Sequence, residues 1–103
     1  MLRGGGWDQN RLVIARRVIF EGRVQGVGFR YTCKDLAKGF EVVGTVKNLP
    51  TGTVELEVMG EAEEVEDFIK EIAEESPLAH NIKGVHVKNI SPMDGVKGFT
   101  IQG

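Results

Sequence analysis

The residues best suited to chemistry in this chain of 103 residues lie in one short glycine-rich segment, which reads GRVQGVGFR over residues 22–30. Glycines permit the backbone angles of tight turns, in which successive main-chain N–H groups can point at a single anion. If a helix begins where the segment ends, the partial positive charge of its N-terminus favours the same anion. Arg30 would add a planar set of donors that matches two phosphate oxygens. The segment therefore suggests a phosphate-binding loop.

The spacing alone fits a second interpretation equally well, namely a tight turn from strand to helix in which a glycine takes a positive φ. Two nucleotide-binding patterns are absent. No Gly-Lys-Ser or Gly-Lys-Thr follows the loop, and Tyr31 stands where a dinucleotide-binding loop would have its third glycine. On spacing, an anion site and a plain turn remain equal alternatives.

The elements on either side of the loop are a predicted strand and a predicted helix. Residues 13–24 are rich in β-branched and aromatic side chains, with Val18 and Phe20 on one face of a strand. After the loop, apolar residues recur with helical spacing as far as a stop near Gly39. These residues are Phe29, Cys33, Leu36, Ala37 and Phe40.

A β-hairpin is predicted next. Residues 41–48 and 53–59 both alternate in side-chain polarity, and Leu49-Pro50-Thr51-Gly52 between them has the Pro and Gly of a reverse turn. The alternation indicates two strands with one solvent-exposed face.

The last third of the chain predicts a second helix and two further strands. Gly60 is expected to open the helix, which has acidic residues in its first turn and ends at Ser76-Pro77. A strand follows over residues 82–90 with a bulge at Gly84, and a short one contains Phe99 and Ile101. The apolar stripe of the helix comprises Val65, Phe68, Ile69, Ile72 and Ala73.

This order of elements predicts an α+β, ferredoxin-like fold, a split βαβ sandwich with two helices on one face of a mostly antiparallel sheet. Residues 1–12 show no apolar periodicity and are predicted to form a flexible N-terminal tail, and residues 13–103 a single domain. The first 50 residues carry nine basic and four acidic groups, whereas the remainder carries four basic and eleven acidic ones. An anion site is therefore expected in the first half.

Composition excludes several classes of protein. The single cysteine, Cys33, cannot form an internal disulfide framework or the paired thiolates of a copper carrier. His80 and His86 have no third histidine beside them, so no metal site and no cofactor are predicted. No stretch approaches the ~20 apolar residues of a membrane span. We expect a soluble cytoplasmic monomer that contacts neither a membrane nor nucleic acid.

The segment GRVQGVGFR, followed by VGTVKNLPTGTVELEVMG, resembles the acylphosphatases over roughly residues 18–101. The resemblance implies metal-independent hydrolysis of the carboxyl-phosphate bond of acyl phosphates, giving a carboxylate and inorganic phosphate. It makes Arg30 the essential phosphate-binding arginine and Asn48 the residue that positions water. Inorganic phosphate is then the product or a competitive inhibitor. The implied phosphate cradle comprises Gln25, Gly26, Val27, Gly28, Phe29 and Arg30.

The chain departs from the family pattern at three positions. Thr45 stands where Trp is usual, Thr51 where Asp is usual, and Lys47 where Arg is common. We expect these departures to affect the strand surface and the turn rather than the chemistry.

Other functions of the same fold remain as alternatives. An RNA recognition motif would stack bases on aromatic residues, but the predicted strand over residues 53–59 has none. The main alternative is a module of this fold that binds phosphorylated ligands, or regulates, without catalysing turnover. The presence of both Arg30 and Asn48 argues against it. Cys33 is expected to be a buried packing residue, and both histidines are expected to be surface or strand residues without a catalytic role.

Overall fold

A computed structural model describes residues 12–103 of the chain. The predicted tail over residues 1–12 lies outside the described residues except for Leu12. The carbonyl oxygen of Leu12 accepts a hydrogen bond of 2.8 Å from the amide of Ala62, so the chain is attached to the domain immediately before the first strand.

Five strands and two helices form the fold in the predicted order. Their bounds are β1 Val13–Gly22, α1 Phe29–Ala37, β2 Val42–Asn48, β3 Val54–Glu61, α2 Ala62–Lys70, β4 Ile82–Ile90 and β5 Phe99–Gln102. Helix α2 continues as a π-helical turn over Glu71–Glu75, and a short 3-10 turn, Ala79–Asn81, precedes β4. None of the described helices is long and apolar enough to span a membrane.

The strands form one sheet in the order β4-β1-β3-β2-β5, in which every pair is antiparallel except β2 and β5. Two helices pack on this mostly antiparallel sheet, which confirms the predicted α+β, ferredoxin-like fold. Because β1 and β2 both run antiparallel to β3, their C-terminal ends lie at the same edge of the sheet. Strand β5 is parallel to β2 and ends at that edge too. The loop after β1, the turn after β2 and the end of β5 therefore lie close together.

The core lies between the sheet and the helices and follows the predicted periodicities. Val18 and Phe20 of β1 are fully buried, as are Phe29 of α1 and Phe68 of α2. The rings of Phe20 and Phe29 meet edge to face at 5.1 Å between centroids. This contact packs the first residue of α1 against the sheet.

Two expected boundaries are corrected by the structure. Gly60 does not open α2 but lies in β3, where it pairs with Ile14 and Val42. A Cβ atom there would lie 2.7 Å from the carbonyl oxygen of Glu41, so the glycine serves the close approach of backbone in the sheet. The bulge expected at Gly84 is present one residue earlier, because Gly84 pairs with Glu21 and Ile82 with Gly22.

Candidate active site

The glycine-rich loop leaves β1 through an anchored turn. Gly22 has a φ of +124°, and a Cβ atom on it would lie 2.2 Å from the carbonyl oxygen of Asn81. The main chain of Arg23 is bound twice by Asn81: its amide donates to the Asn81 carbonyl at 2.9 Å, and its carbonyl accepts from Asn81 Nδ2 at 3.1 Å. The start of the loop is thus held against the segment before β4.

Two further glycines give the loop its shape. Gly26 and Gly28 have φ angles of +77° and +84°, in the left-handed region that favours glycine. No atom of the described part of the chain lies within 4 Å of where their Cβ atoms would be, so the backbone conformation is what requires these glycines. Gly28 is the N-cap residue of α1. No side chain among residues 12–103 caps that helix, and its first turn contains no acidic residue. The side chains of α1 therefore do not compensate the partial positive charge of its N-terminal amides.

Arg30, the second residue of α1, is held by the end of β5. Its Nη1 donates to the carbonyl oxygens of Gln102 and Gly103, each at 3.2 Å. The guanidinium has five N–H donors, so these bonds orient the group without using all its donors. No local sequence pattern indicates this anchor, since Arg30 is 72 and 73 positions away from Gln102 and Gly103.

Asn48 ends β2 on the same side of the sheet as the buried Val46. Its Oδ1 atom is buried and accepts no hydrogen bond from any of residues 12–103. A buried acceptor without a donor costs about 1–3 kcal/mol, so such atoms are usually paired with water or a ligand. The Asn48 carboxamide oxygen is therefore placed to accept a hydrogen bond from a molecule in the adjacent pocket.

A pocket of about 160 Å³ brings these groups together. It is smaller than the ~300–1,000 Å³ typical of drug-sized ligand sites and so suits a small group. It is lined by Val24, Gly26, Gly28, Phe29, Arg30, Tyr31 and Asn48.

Five of the seven residues that line the pocket were predicted from the sequence. Gln25 and Val27, which were also assigned to the cradle, do not line it. The side chain of Gln25 instead donates to the β2–β3 turn, and Val27 packs against the core. Val24 and Tyr31 were not predicted. Tyr31 directly follows Arg30 in the first turn of α1 and is 70% exposed. This position next to Arg30 is the sequence feature that could have identified it as a pocket residue.

The remaining candidate nucleophile and bases lie elsewhere. Burial raises the pKa of the Cys33 thiol to about 12, so this side chain stays protonated and packs in the core. His86 lies on β4, where its Nε2 is 3.1 Å from Oε1 of Glu21. His80 lies in the 3-10 turn. Among residues 12–103, no group of three or more His, Cys, Asp or Glu is placed to hold a metal ion.

The three departures from the family pattern lie away from the pocket lining. Lys47 forms an ion pair with Glu55 at 3.6 Å on the face of the sheet opposite the core, and Thr45 pairs with Glu57 on that same face. Thr51 lies in the turn, where its hydroxyl is 2.8 Å from that of Thr53.

Comparison with known proteins identifies the family. The family model described as acylphosphatase matches residues 16–101. The chain belongs to the acylphosphatase family. An acylphosphatase from Methanospirillum hungatei is 40% identical over 85 residues, which are 82% of this chain and 92% of the relative. One from Thermococcus kodakarensis is 44% identical over 82 residues, covering 80% of this chain and 88% of the relative.

Comparison of the fold with solved structures also identifies the acylphosphatase family. A crystal structure of acylphosphatase from Bacillus subtilis superposes with a TM-score of 0.79 at 30% identity, covering 89% of this chain and all of the other. Family membership and these relatives support acylphosphatase function, that of a hydrolase acting on a small-molecule acyl phosphate, and they do not favour the non-catalytic alternative.

Proposed function

We propose that acyl phosphate hydrolysis takes place in the pocket between Arg30 and Asn48. The observation that carries this proposal is that a guanidinium at a helix N-terminus lines the same small pocket as a buried carboxamide oxygen to which none of residues 12–103 donates a hydrogen bond. The first suits the phosphoryl oxygens and the second an attacking water. A loop that only connected the strand to the helix would not require the buried carboxamide oxygen of Asn48.

The phosphoryl group binds between the guanidinium and the first amides of α1. Arg30 and main-chain donors from residues 25–30 stabilise the charge on the phosphoryl oxygens in the transition state. Fixed donors of this kind are each worth about 3–4 kcal/mol in comparable oxyanion sites. Because the carbonyl oxygens of Gln102 and Gly103 orient the Arg30 guanidinium, its donors are in place before substrate binds.

Asn48 places the attacking water. Its Oδ1 accepts a hydrogen bond from the water and aims the water oxygen at phosphorus, opposite the departing carboxylate. An amide is too weak a base to remove the proton, so we propose that the proton passes to a phosphoryl oxygen. The P–O bond to the acyl group breaks as the bond from water to phosphorus forms.

The leaving group explains why this small set of residues suffices. A carboxylic acid has a pKa of ~4, so the carboxylate departs as an anion near neutral pH and needs no general acid. The reaction therefore proceeds without a metal ion. Phosphate monoesters, whose alkoxide leaving groups require protonation, are expected to be poor substrates of the same site.

Hydrolysis of benzoyl phosphate in the presence of a chelator tests this proposal. We expect turnover by the wild-type chain, and a loss of at least ~100-fold in kcat/KM for Arg30→Ala and for Asn48→Ala. Matched controls are Arg16→Ala, which removes an ion pair with Glu66 on the helix side of β1, and Asn89→Ala on the exposed surface of β4.

The controls are expected to keep wild-type turnover. No hydrolysis by the wild-type chain would contradict the function, whereas normal turnover in Arg30→Ala and Asn48→Ala would contradict the site. We further propose that inorganic phosphate inhibits competitively and that the enzyme acts as a cytoplasmic monomer. Analytical ultracentrifugation at assay concentration tests the monomer.

A further inference from the structure

The side chain of Gln25 connects the phosphate loop to the turn that follows Asn48. Its Nε2 donates to the carbonyl oxygens of Leu49 and Thr53, and both bonds are 2.8 Å long. An amide nitrogen has two N–H donors, so both are used in these bonds. The side chain is half-buried between the two segments and does not line the pocket.

The two carbonyls that accept these bonds are the ones that close the β2–β3 turn. The Thr53 carbonyl also accepts from the amide of Leu49 at 2.9 Å, and the Leu49 carbonyl from the amide of Gly52 at 3.0 Å. Each carbonyl therefore takes one bond from within the turn and one from Gln25. The turn is bonded to the phosphate loop at both of its ends.

We propose that Gln25 is a positioning residue that sets the distance between the phosphate loop and the Asn48 carboxamide. Asn48 directly precedes Leu49, and no hydrogen bond from residues 12–103 holds its Oδ1. The main chain must therefore place that atom, and Gln25 ties this main chain to the loop. The inference rests on the proposed function, because it assigns Gln25 a role in aligning the water with the bound phosphoryl group.

This role predicts that catalysis and phosphate binding respond differently. Misplacement of a reacting group by about 1 Å can cost ~100-fold in rate. The donors that hold phosphate are Arg30 and loop amides, which Gln25 does not supply with its side chain. Loss of its hydrogen bonds should therefore lower kcat and leave the inhibition constant of inorganic phosphate within about twofold.

The experiment is a double-mutant cycle between Gln25→Met and Asn48→Ala, with benzoyl phosphate as substrate and inorganic phosphate as inhibitor. Met keeps the length of the side chain and removes both donors. We expect Gln25→Met to lower kcat about 10- to 100-fold in the wild-type background and by less than about twofold in the Asn48→Ala background. Thr51→Ala is the matched control in the turn, with an expected loss below about threefold, because the bonds of Gln25 remain.

An equal loss of kcat in both backgrounds, or a parallel rise in the inhibition constant of phosphate, would overturn the positioning role and leave the proposed function standing. Absence of wild-type turnover would overturn both. If Gln25→Met fails to fold by circular dichroism, the same cycle with Gln25→Asn decides, since that side chain is one methylene too short to reach both carbonyls.

Discussion

The two helices of this acylphosphatase begin in opposite ways. Helix α1 has the left-handed Gly28 as its N-cap and no acidic residue in its first turn, and its second residue is Arg30. Helix α2 carries Glu63 and Glu64 in its first turn, and Glu64 Oε1 accepts a hydrogen bond of 2.7 Å from the amide of Glu41. Negative side chains near a helix N-terminus are stabilising. Helix α2 thus supplies its own anions, whereas the first turn of α1 contains none, which is consistent with the phosphate binding proposed for it.

The connection between each helix and the strand before it also differs in length between α1 and α2. Helix α2 follows β3 directly, since β3 ends at Glu61 and α2 begins at Ala62. Six residues, 23–28, separate β1 from α1, and two of them are left-handed glycines. Only the longer connection can wrap main-chain amides around an anion. The start of α2 therefore has the acidic residues that stabilise a helix N-terminus, whereas the start of α1 lacks them and has the glycine-rich connection that suits the proposed binding of an anion.

The largest expected effect comes from giving α1 the chemistry of α2. Arg30→Glu places an acid at the second helical position, which Glu63 occupies in α2. We expect kcat/KM for benzoyl phosphate to fall at least ~1,000-fold, because a donor is lost and a like charge faces the phosphoryl group. The control Lys34→Glu makes a charge change of the same sign one turn further along the exposed side of α1. Comparable losses in both variants would mean that net charge, not position, matters.

A smaller effect is expected from the N-cap glycine. Gly28→Ala should lower the free energy of unfolding by about 1–2 kcal/mol, because a left-handed φ of +84° strains a side chain even where there is room for it. Gly39→Ala is the control, as Gly39 has no positive φ and its Cβ would make an ordinary 3.6 Å contact with Leu36. Urea denaturation of both variants measures the difference. Equal stabilities would show that Gly28 is not conformationally required.

Tyr31→Glu tests the third helical position, which Glu64 occupies in α2. The new carboxylate should raise the inhibition constant of inorganic phosphate about two- to fivefold, the equivalent of ~0.4–1 kcal/mol of competition for the helix N-terminus. Tyr31→Gln separates loss of the ring from gain of charge. If both variants bind phosphate alike, the helix N-terminus does not contribute to the site.

The smallest effect is expected at α2. Glu64→Gln should reduce the free energy of unfolding by about 0.3–1 kcal/mol, since a neutral amide interacts less favourably with the helix N-terminus. Turnover should be unchanged, because Glu64 belongs to the other helix. Urea denaturation and the benzoyl phosphate assay measure the two quantities. A loss of turnover without a loss of stability would contradict the division of roles between the helices.

Local patterns predicted most of this fold. The parity of Val18 and Phe20 and the spacing of Phe29, Cys33 and Ala37 identify buried faces, since burial follows the strand and helix periods. The expectation that Gly60 opens α2 was wrong, because a glycine before several acidic residues is found both at helix starts and where strands pack closely. The π-helical end of α2 has no signal in the residue types.

The candidate site was predictable as a set of residues but not as a geometry. Arg30 and Asn48 were identified through a family resemblance, and the structure places them in one pocket. The direction of the Gln25 side chain and the anchor of Arg30 depend on main-chain carbonyls 24 to 73 residues away. Carbonyl positions follow from how the strands pack, which no local pattern specifies.

We propose that the start of α1, and not that of α2, binds the phosphoryl group beside Asn48. Titration of ¹⁵N-labelled protein with inorganic phosphate, followed by NMR, tests it most directly. We expect saturable shifts of the main-chain amides of residues 25–30 and of the Asn48 side-chain amide, with none at residues 62–65. Shifts centred on residues 62–65, or saturable binding that leaves residues 25–30 unshifted, would contradict it.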